Sequence, residues 1–202
     1  MKYNPQIHHR RSIRLKGYDY SQTGAYFITI CCDERKCRFG FVENLEMVLN
    51  EFGQIAYNEW VELGERFSNF ELDVFQIMPN HMHGIIVLNG AVGAGFTPTL
   101  NNINTINEQP QTGQPVMGQP ETGQQANGQP QGIAPTNSTV GDIVCAYKSL
   151  VANGCLDVFK TKNKTMGKLW QRNYHEHIIR DEQSYLAISK YIINNPAKWK
   201  DD

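Results

Sequence analysis

The chain has 202 residues, of which 40% are hydrophobic, and a formal net charge of −1. This length and hydrophobic content suit a single domain with a buried core. They exclude a membrane-spanning helix, because no stretch approaches about 20 consecutive apolar residues.

The small net charge conceals an asymmetry along the chain. Residues 1–16 carry five basic and no acidic side chains, whereas residues 17–136 carry four basic and thirteen acidic ones. Basic ends around an acidic middle favour a polyanion site built from the termini, although a mixed solvated surface would give the same charges. The five cysteines lack a CxxC spacing and residues 1–16 lack an apolar signal segment, so we expect reduced thiols and a cytoplasmic protein.

Residues 1–20 are predicted to form a basic arm, and a solubilising terminus is the alternative. The arginines at positions 10, 11 and 14 could contact phosphates there. A buried strand is predicted over residues 25–32 and a short strand or turn over 39–42. Apolar residues then recur at helical spacing from Leu45 to Phe67, which predicts a helix that supports the core.

Two histidines separated by one residue, His81 and His83, lie in a stretch typical of strand, turn, strand. The flanking residues 70–77 and 85–88 are rich in aromatic and β-branched side chains, and Pro79-Asn80 is typical of a turn. Side chains two apart in a strand point the same way. The two imidazoles are therefore predicted to project together, as a metal site requires, with Met82 facing the core; taken alone, the pair also fits ordinary surface or core histidines.

Residues 89–136 differ in kind from the rest of the chain. Gly-Gln-Pro recurs there with a five-residue period, and charged and aromatic residues are scarce. Such a composition cannot bury a core. We predict a disordered insertion that divides one domain into residues 21–88 and 137–200.

The segment after the insertion predicts helix, strand, helix. Thr139 and Asp142 have the spacing of a capping box and begin a helical apolar stripe that contains Tyr147, with Lys148 on the other side. Residues 169–179 alternate loosely and predict a strand. Its Trp170, Arg172 and Tyr174 would then share one face, suited either to stacking on unpaired bases or to half-burial against the core.

The last predicted helix runs from a cap at Asp181 to about Asn194, where Pro196 ends it. Tyr191 and Asn195 lie four residues apart, which places a phenol and a carboxamide on one helix face. A tyrosine on a packed helix is usually a core residue, so this pair gains meaning only together with the histidines.

The strings PNHMHGIIV and, later, LWQRNYHEHIIRDEQSYLAISKYIINNPAKW resemble the single-tyrosine HUH transposases, in particular their REP-associated branch in bacteria. IRLKGYDYSQTGAYFITICC resembles their opening strand, so the likeness covers roughly residues 10–88 and 137–199. It implies an α+β, ferredoxin-like fold with a central antiparallel sheet and helices on one face. It also implies a homodimer, nucleoid-associated when bound to DNA, that cuts and rejoins single-stranded DNA near hairpins.

The resemblance assigns roles to four side chains. Tyr191 matches the nucleophile that forms a 5′-phosphotyrosine, His81 and His83 match metal ligands, and Asn195 stands where relatives place a third polar ligand, often Gln. Imidazole and amide donors suit Mg²⁺ or Mn²⁺. Candidate nucleic-acid contacts are the basic and aromatic residues Arg10, Arg11, Arg14, Lys148, Trp170, Arg172, Tyr174 and Arg180.

Other interpretations remain open at this point. His175-Glu176-His177 is a second histidine pair that could supply ligands or a general base, and Tyr147 is a rival nucleophile. A non-catalytic module that binds structured single-stranded DNA or RNA would keep the same fold. A metal phosphodiesterase would use water in place of tyrosine.

Overall fold

The computed structural model describes residues 14–15, 17–89 and 138–200. Most of the predicted arm, with Arg10 and Arg11, and nearly all of the predicted insertion lie outside these ranges. The strands are β1 (Gly24–Cys31), β2 (Gly40–Glu43), β3 (Glu46–Leu49), β4 (Phe70–Met78), β5 (His81–Leu88) and β6 (His175–Ile179). The helices are α1 (Glu51–Arg66), α2 (Val140–Thr161) and α3 (Glu182–Ile193), and within the described ranges none has the length and apolarity that a membrane crossing needs.

Four of the strands form one antiparallel sheet in the order β4-β5-β1-β6, and β2 and β3 form a separate hairpin. Without that hairpin and the final helix α3, the chain runs strand, helix, strand, strand, helix, strand. This order of elements with this strand order is the split βαβ arrangement of ferredoxin-like folds. The predicted α+β, ferredoxin-like fold with a central antiparallel sheet is confirmed.

The sheet is covered on both faces. Helices α1 and α2 lie on one face, where Trp60 and Tyr147 pack with Met82 in the larger core. Helix α3 lies on the other face, where Ile192 packs with Ile85 in a smaller cluster. The predicted placement of helices on one face therefore holds for α1 and α2 but not for α3, because every residue of β5 is buried and both of its sides need cover.

The prediction of a helix from Leu45 onward was wrong at its start. Residues 46–49 form β3, which pairs with β2 across a two-residue turn at Asn44 and Leu45, both with positive φ (51° and 68°), as tight hairpin turns require. The helix begins after Asn50, whose side chain accepts hydrogen bonds from the backbone N–H groups of Phe52 and Gly53. A short strand and a helix of similar composition cannot be separated by apolar spacing alone.

The predicted strand over residues 169–179 was also too long. Within this range only β6 is a strand. Trp170 makes an isolated bridge to Cys32, and residues 171–174 are irregular. Trp170 and Tyr174 are 6% and 7% exposed and belong to the larger core. The predicted face for stacking on bases is therefore wrong for these two aromatics, while Arg172 between them is exposed.

Both predicted helix starts after the insertion are confirmed. Thr139 and Asp142 exchange the hydrogen bonds of a capping box at the start of α2, and the Asp181 carboxylate accepts from the N–H of Ser184 at the start of α3. Each cap satisfies backbone donors that have no partner within the helix.

Gly84 is the contact point between the histidine strand and α1. A Cβ at this position would lie 2.8 Å from Cζ2 of the Trp60 ring, which is fully buried. Since the indole cannot move without disturbing the core, glycine lets β5 approach the helix.

We expect Gly84→Ala to lower the free energy of unfolding by about 1–3 kcal/mol through overpacking, measured by urea denaturation. Gly64→Ala is the matched control, because the space around Gly64 in α1 is open. That change should instead stabilise the protein by about 0.5–1 kcal/mol, since alanine is the better helix former. Equal effects of the two substitutions would contradict the packing argument.

Candidate active site

The turn between β4 and β5 fixes the position of the histidines. The carbonyl of Pro79 accepts hydrogen bonds from the N–H groups of Arg38 and Phe39, and the carbonyl of Asn80 accepts one from Cys32 at 2.9 Å. The hairpin is thus tied to the segment that follows β1. His81 and His83 then lie on the α3 face at 7% and 5% exposure, while Met82 points to the opposite core, as the strand period predicted.

The two imidazoles are oriented by different partners. Nδ1 of His81 lies 2.7 Å from the carboxamide oxygen of Asn80, and Nδ1 of His83 lies 2.8 Å from the hydroxyl of Thr29. Because the Asn80 oxygen accepts, the proton of His81 is assigned to Nδ1 and its Nε2 carries a lone pair. The two Nε2 atoms face each other at 3.1 Å.

The donor set fits one divalent cation. Adjacent donors of an octahedral site with bonds of about 2.1 Å lie about 3.0 Å apart, whereas tetrahedral donors at that bond length lie about 3.4 Å apart. The 3.1 Å between the Nε2 atoms lies within this range, so one cation could contact both rings. The described residues contain no group of three or more His, Cys, Asp and Glu side chains able to hold a metal, so further donors would have to be of another kind.

Burial keeps both rings neutral. It lowers the pKa of His81 to about 4, helped by the positive charge of Arg35. It lowers the pKa of His83 to about 3, helped by neighbouring His81 and again by Arg35. Neutral imidazole is the form that binds metals, so both rings are ready as ligands at neutral pH.

Tyr191 of α3 reaches the same place. Its hydroxyl lies 3.3 Å from Nε2 of His83, and the Tyr191 side chain is 43% exposed. The Phe27 ring stacks on His83 at 5.3 Å between centroids and meets the Tyr191 ring edge-on. The structure thus brings the predicted nucleophile and the predicted ligand pair together within one chain.

A partly buried carboxylate, that of Asp73, holds α3 in this position. The Tyr185 hydroxyl donates to both oxygens of Asp73 at 2.9 Å, at the point where the pairing register of β4 shifts. Burial raises the pKa of Asp73, and the bond from Tyr185 partly opposes this. This anchor was not predicted from the sequence, although an acidic residue inside an apolar strand is a signal that a partner exists.

Asn195 lies just beyond α3 and is buried. It begins the 3₁₀ turn Pro196–Lys198, and Trp199 at the end of this turn lies 5.9 Å from the ring of His81. The C-terminal segment therefore borders the histidine pair, and Asn195 as a third ligand stays a prediction. Trp199 and Thr29 were also missed, and Thr29 becomes visible only once the pairing of β1 with β5 is known.

Several other predicted site residues have structural partners. Tyr147 is fully buried on the α1 face and donates to the carbonyl of Ala56, so it is no nucleophile for this site. The Lys148 ammonium donates to the carbonyls of residues 171 and 172. Arg14 donates to the Tyr174 hydroxyl and lies 3.8 Å from the carboxylate of Glu176, so both cations are occupied within the fold.

The remaining predicted contacts stay untested. Arg172 and Arg180 are exposed and could reach a polyanion. His175 and His177 are exposed on β6.

Comparison with known proteins gives a family and a fold. No family model matches the chain. An uncharacterised protein of Haemophilus influenzae is 41% identical over 201 residues, which is 100% of this chain and 96% of that protein. The solved structure of a REP-associated tyrosine transposase bound to a REP hairpin superposes with a TM-score of 0.52 and 16% identity, covering 92% of this chain and 73% of that chain. This likeness shows a shared fold.

A second solved structure, provisionally described as a transposase of Deinococcus radiodurans, has a TM-score of 0.43 and 15% identity over 90% of this chain and 95% of that chain. That score is too low to support an argument about the fold or the site.

The lowered pKa values predict acid sensitivity. The unfolded chain binds protons at His83 below about pH 6.5 while the folded protein does not, so this contribution to stability is complete above that pH and is lost as the pH falls. By pH 5 the loss should approach about 2 kcal/mol for each buried ring. Urea unfolding of the wild type in EDTA between pH 7 and 5 measures it, with His83→Gln as comparison. An equal pH slope in both proteins would contradict the burial argument.

Proposed function

The chain belongs to the same family as the uncharacterised Haemophilus influenzae protein, and we propose that it is a metal-dependent transferase of single-stranded DNA of the single-tyrosine transposase type. The observation that carries the proposal is the 3.3 Å approach of the Tyr191 hydroxyl to Nε2 of His83. A half-exposed phenol beside two converging imidazole nitrogens suits covalent catalysis at a phosphodiester. The fold shared with the REP-associated tyrosine transposase supports it.

His81 and His83 would hold a divalent cation, with Mg²⁺ or Mn²⁺ suited to an imidazole and oxygen donor set. When bound, such a cation neutralises charge on the phosphate and acts as a Lewis acid. Asn80 and Thr29 orient the two rings through their Nδ1 atoms, as partners of ligand histidines commonly do. Phe27 covers one side of His83 and limits access of water there.

Tyr191 would perform the transfer. Its phenol oxygen bonds to the scissile phosphorus while the bond from phosphorus to the 3′ oxygen breaks, which gives a 5′-phosphotyrosine and a free 3′-OH. The phenol proton leaves to water, since the side chain is 43% exposed, and the departing 3′ oxygen takes up a proton. The phosphodiester energy is kept in the tyrosine ester for rejoining.

The substrate class follows from the same comparison. The neighbouring transposase structure contains a REP hairpin, and we propose single-stranded DNA beside a hairpin as the substrate here. The contact between Tyr191 and His83 lies within one chain, and on that ground we propose that Tyr191 acts on the site of its own subunit. A homodimer and a cytoplasmic, nucleoid-associated location remain proposals.

We expect Tyr191→Phe to abolish the covalent adduct, because the phenol oxygen is the proposed nucleophile. The assay incubates protein, Mn²⁺ and an end-labelled hairpin oligonucleotide with single-stranded flanks, followed by a denaturing gel. The same variant should still retard the hairpin on a native gel, since the change removes one oxygen atom from the surface.

Tyr147→Phe serves as the control. It removes a buried hydrogen bond and should cost about 1 kcal/mol of stability with the adduct retained. Cleavage without an adduct in the wild type would point to water as the nucleophile. Retardation of the hairpin on the native gel, with neither cleavage nor adduct, would indicate a non-catalytic binding module.

A second prediction concerns Thr29. Thr29→Val keeps the side-chain shape but removes the hydroxyl that orients His83, so the affinity for Mn²⁺ should fall by about 10- to 100-fold, as for other partners of ligand histidines. Titration calorimetry of the full chain measures it. Thr161→Val is the matched control, because its hydroxyl bonds only to a carbonyl at the end of α2. An unchanged affinity in Thr29→Val would contradict this role of the hydroxyl.

A further inference from the structure

The second histidine pair lies on the same face of the sheet as the first. His83 on β5 is paired with Thr29 on β1, and Thr29 is paired in turn with His175 on β6. The next row runs through Phe27 to His177. Directly paired residues point to the same side of a sheet, so Phe27, Thr29, His175 and His177 form one continuous surface, here named the β6 shelf.

Among the residues that the structure describes, no helix covers the β6 shelf as α3 covers β4 and β5. Helix α3 packs against β4 and β5 and is tied to β4 by the bond from Tyr185 to Asp73. Across the sheet, His175 and His177 are exposed, and Phe27 and Thr29 are partly exposed. A DNA strand held at Tyr191 and His83 would therefore be blocked by α3 on the side of β4 and β5, and would lie over the β6 shelf on the other side.

We propose that His175 and His177 form a subsite that binds the sugar-phosphate backbone of the DNA strand next to the scissile phosphate. The inference rests on the proposed function and extends it to the path of the substrate. Adjacent strands are about 4.8 Å apart, so the backbones at His175 and His83 are separated by about 10 Å, a distance that a neighbouring phosphate of the same strand can bridge.

The chemistry of the β6 shelf suits a phosphodiester. Each imidazole can donate a hydrogen bond to a phosphate oxygen, and the partly exposed Phe27 ring offers an apolar surface for a sugar or base. The intervening Glu176 does not repel the phosphate, because its carboxylate points to the opposite face, is 3% exposed and pairs with Arg14. The alternation of a strand thus presents two imidazoles and hides the acid between them.

The same geometry argues against a second metal site. His175 and His177 are exposed on an edge strand, whereas the first histidine pair is buried with its Nε2 atoms 3.1 Å apart. The second pair is also two strands away from His83. The placement of His175 and His177 is therefore better suited to contact with the substrate.

The test couples a change in the protein to a change in the DNA. A Tyr191→Phe protein, which cannot cut, is titrated with a fluorescent hairpin carrying a single-stranded flank, and binding is followed by anisotropy. Phosphates of the flank are replaced one at a time by uncharged methylphosphonates. We expect one or two positions to lose about fivefold in affinity, the scale of a typical hydrogen bond in water.

Adding His175→Gln and His177→Gln should weaken binding of the unmodified DNA by a similar factor and abolish the sensitivity at those positions, as a coupled pair requires. The matched control is Gln54→Ala with Asn58→Ala, two exposed polar residues of α1 beyond the far face of the sheet, which should change neither property. Unchanged circular dichroism and melting temperature exclude misfolding.

Full methylphosphonate sensitivity in the histidine double variant, or unchanged affinity, would overturn the subsite. If the wild type still forms the Tyr191 adduct in that case, the proposed function survives and only the β6 shelf is rejected. If the Tyr191→Phe protein binds no hairpin at all, both proposals are rejected.

Discussion

Two uncharged imidazoles held with their Nε2 atoms 3.1 Å apart are the constraint on which the site depends. Lone pairs at that distance repel unless a proton or a cation lies between them. Burial lowers the pKa of His81 to about 4 and that of His83 to about 3, so both rings are uncharged at neutral pH and share at most the tautomeric proton of one neutral ring. Asn80 and Thr29 prevent the rings from turning away. The fold therefore maintains two neutral imidazole nitrogens that converge, the arrangement that we propose for binding a metal ion.

That arrangement is possible because β5 is buried on both sides. On one side, Met82 and Gly84 meet the layer of α1, where the absence of a Cβ admits the Trp60 ring. On the other side, the imidazoles lie under α3. The bond from Tyr185 to Asp73 sets where this helix rests, and with it where Tyr191 stands. A polar anchor in an otherwise apolar contact favours one docking position among several that the apolar residues alone would permit.

The sequence was sufficient wherever a local pattern had one interpretation. The alternation around His81 and His83 predicted which side chains of β5 share a face. The caps at Thr139 and Asp181 predicted where α2 and α3 begin. The sequence was insufficient where the secondary structure depends on pairing between distant residues. Val48 and Leu49 match a helical stripe as long as their pairing with Phe41 and Gly40 is unknown. Trp170 and Tyr174 likewise fit an exposed face until Cys32 and Arg14 are seen beside them. Thr29 has no local signal at all.

Strand β1 explains why two histidine pairs far apart in sequence can serve one substrate. It lies between β5 and β6, so Thr29 separates His83 from His175 by one residue across the sheet. The inner pair is buried and suited to a cation; the outer pair is exposed and suited to a polyanion in water. Tyr191 stands beside the inner pair and is 43% exposed. In the proposed mechanism, a DNA strand that enters from the open edge would meet the two exposed imidazoles first and Tyr191, the proposed nucleophile, last, so that its phosphate is positioned before the phenol reacts.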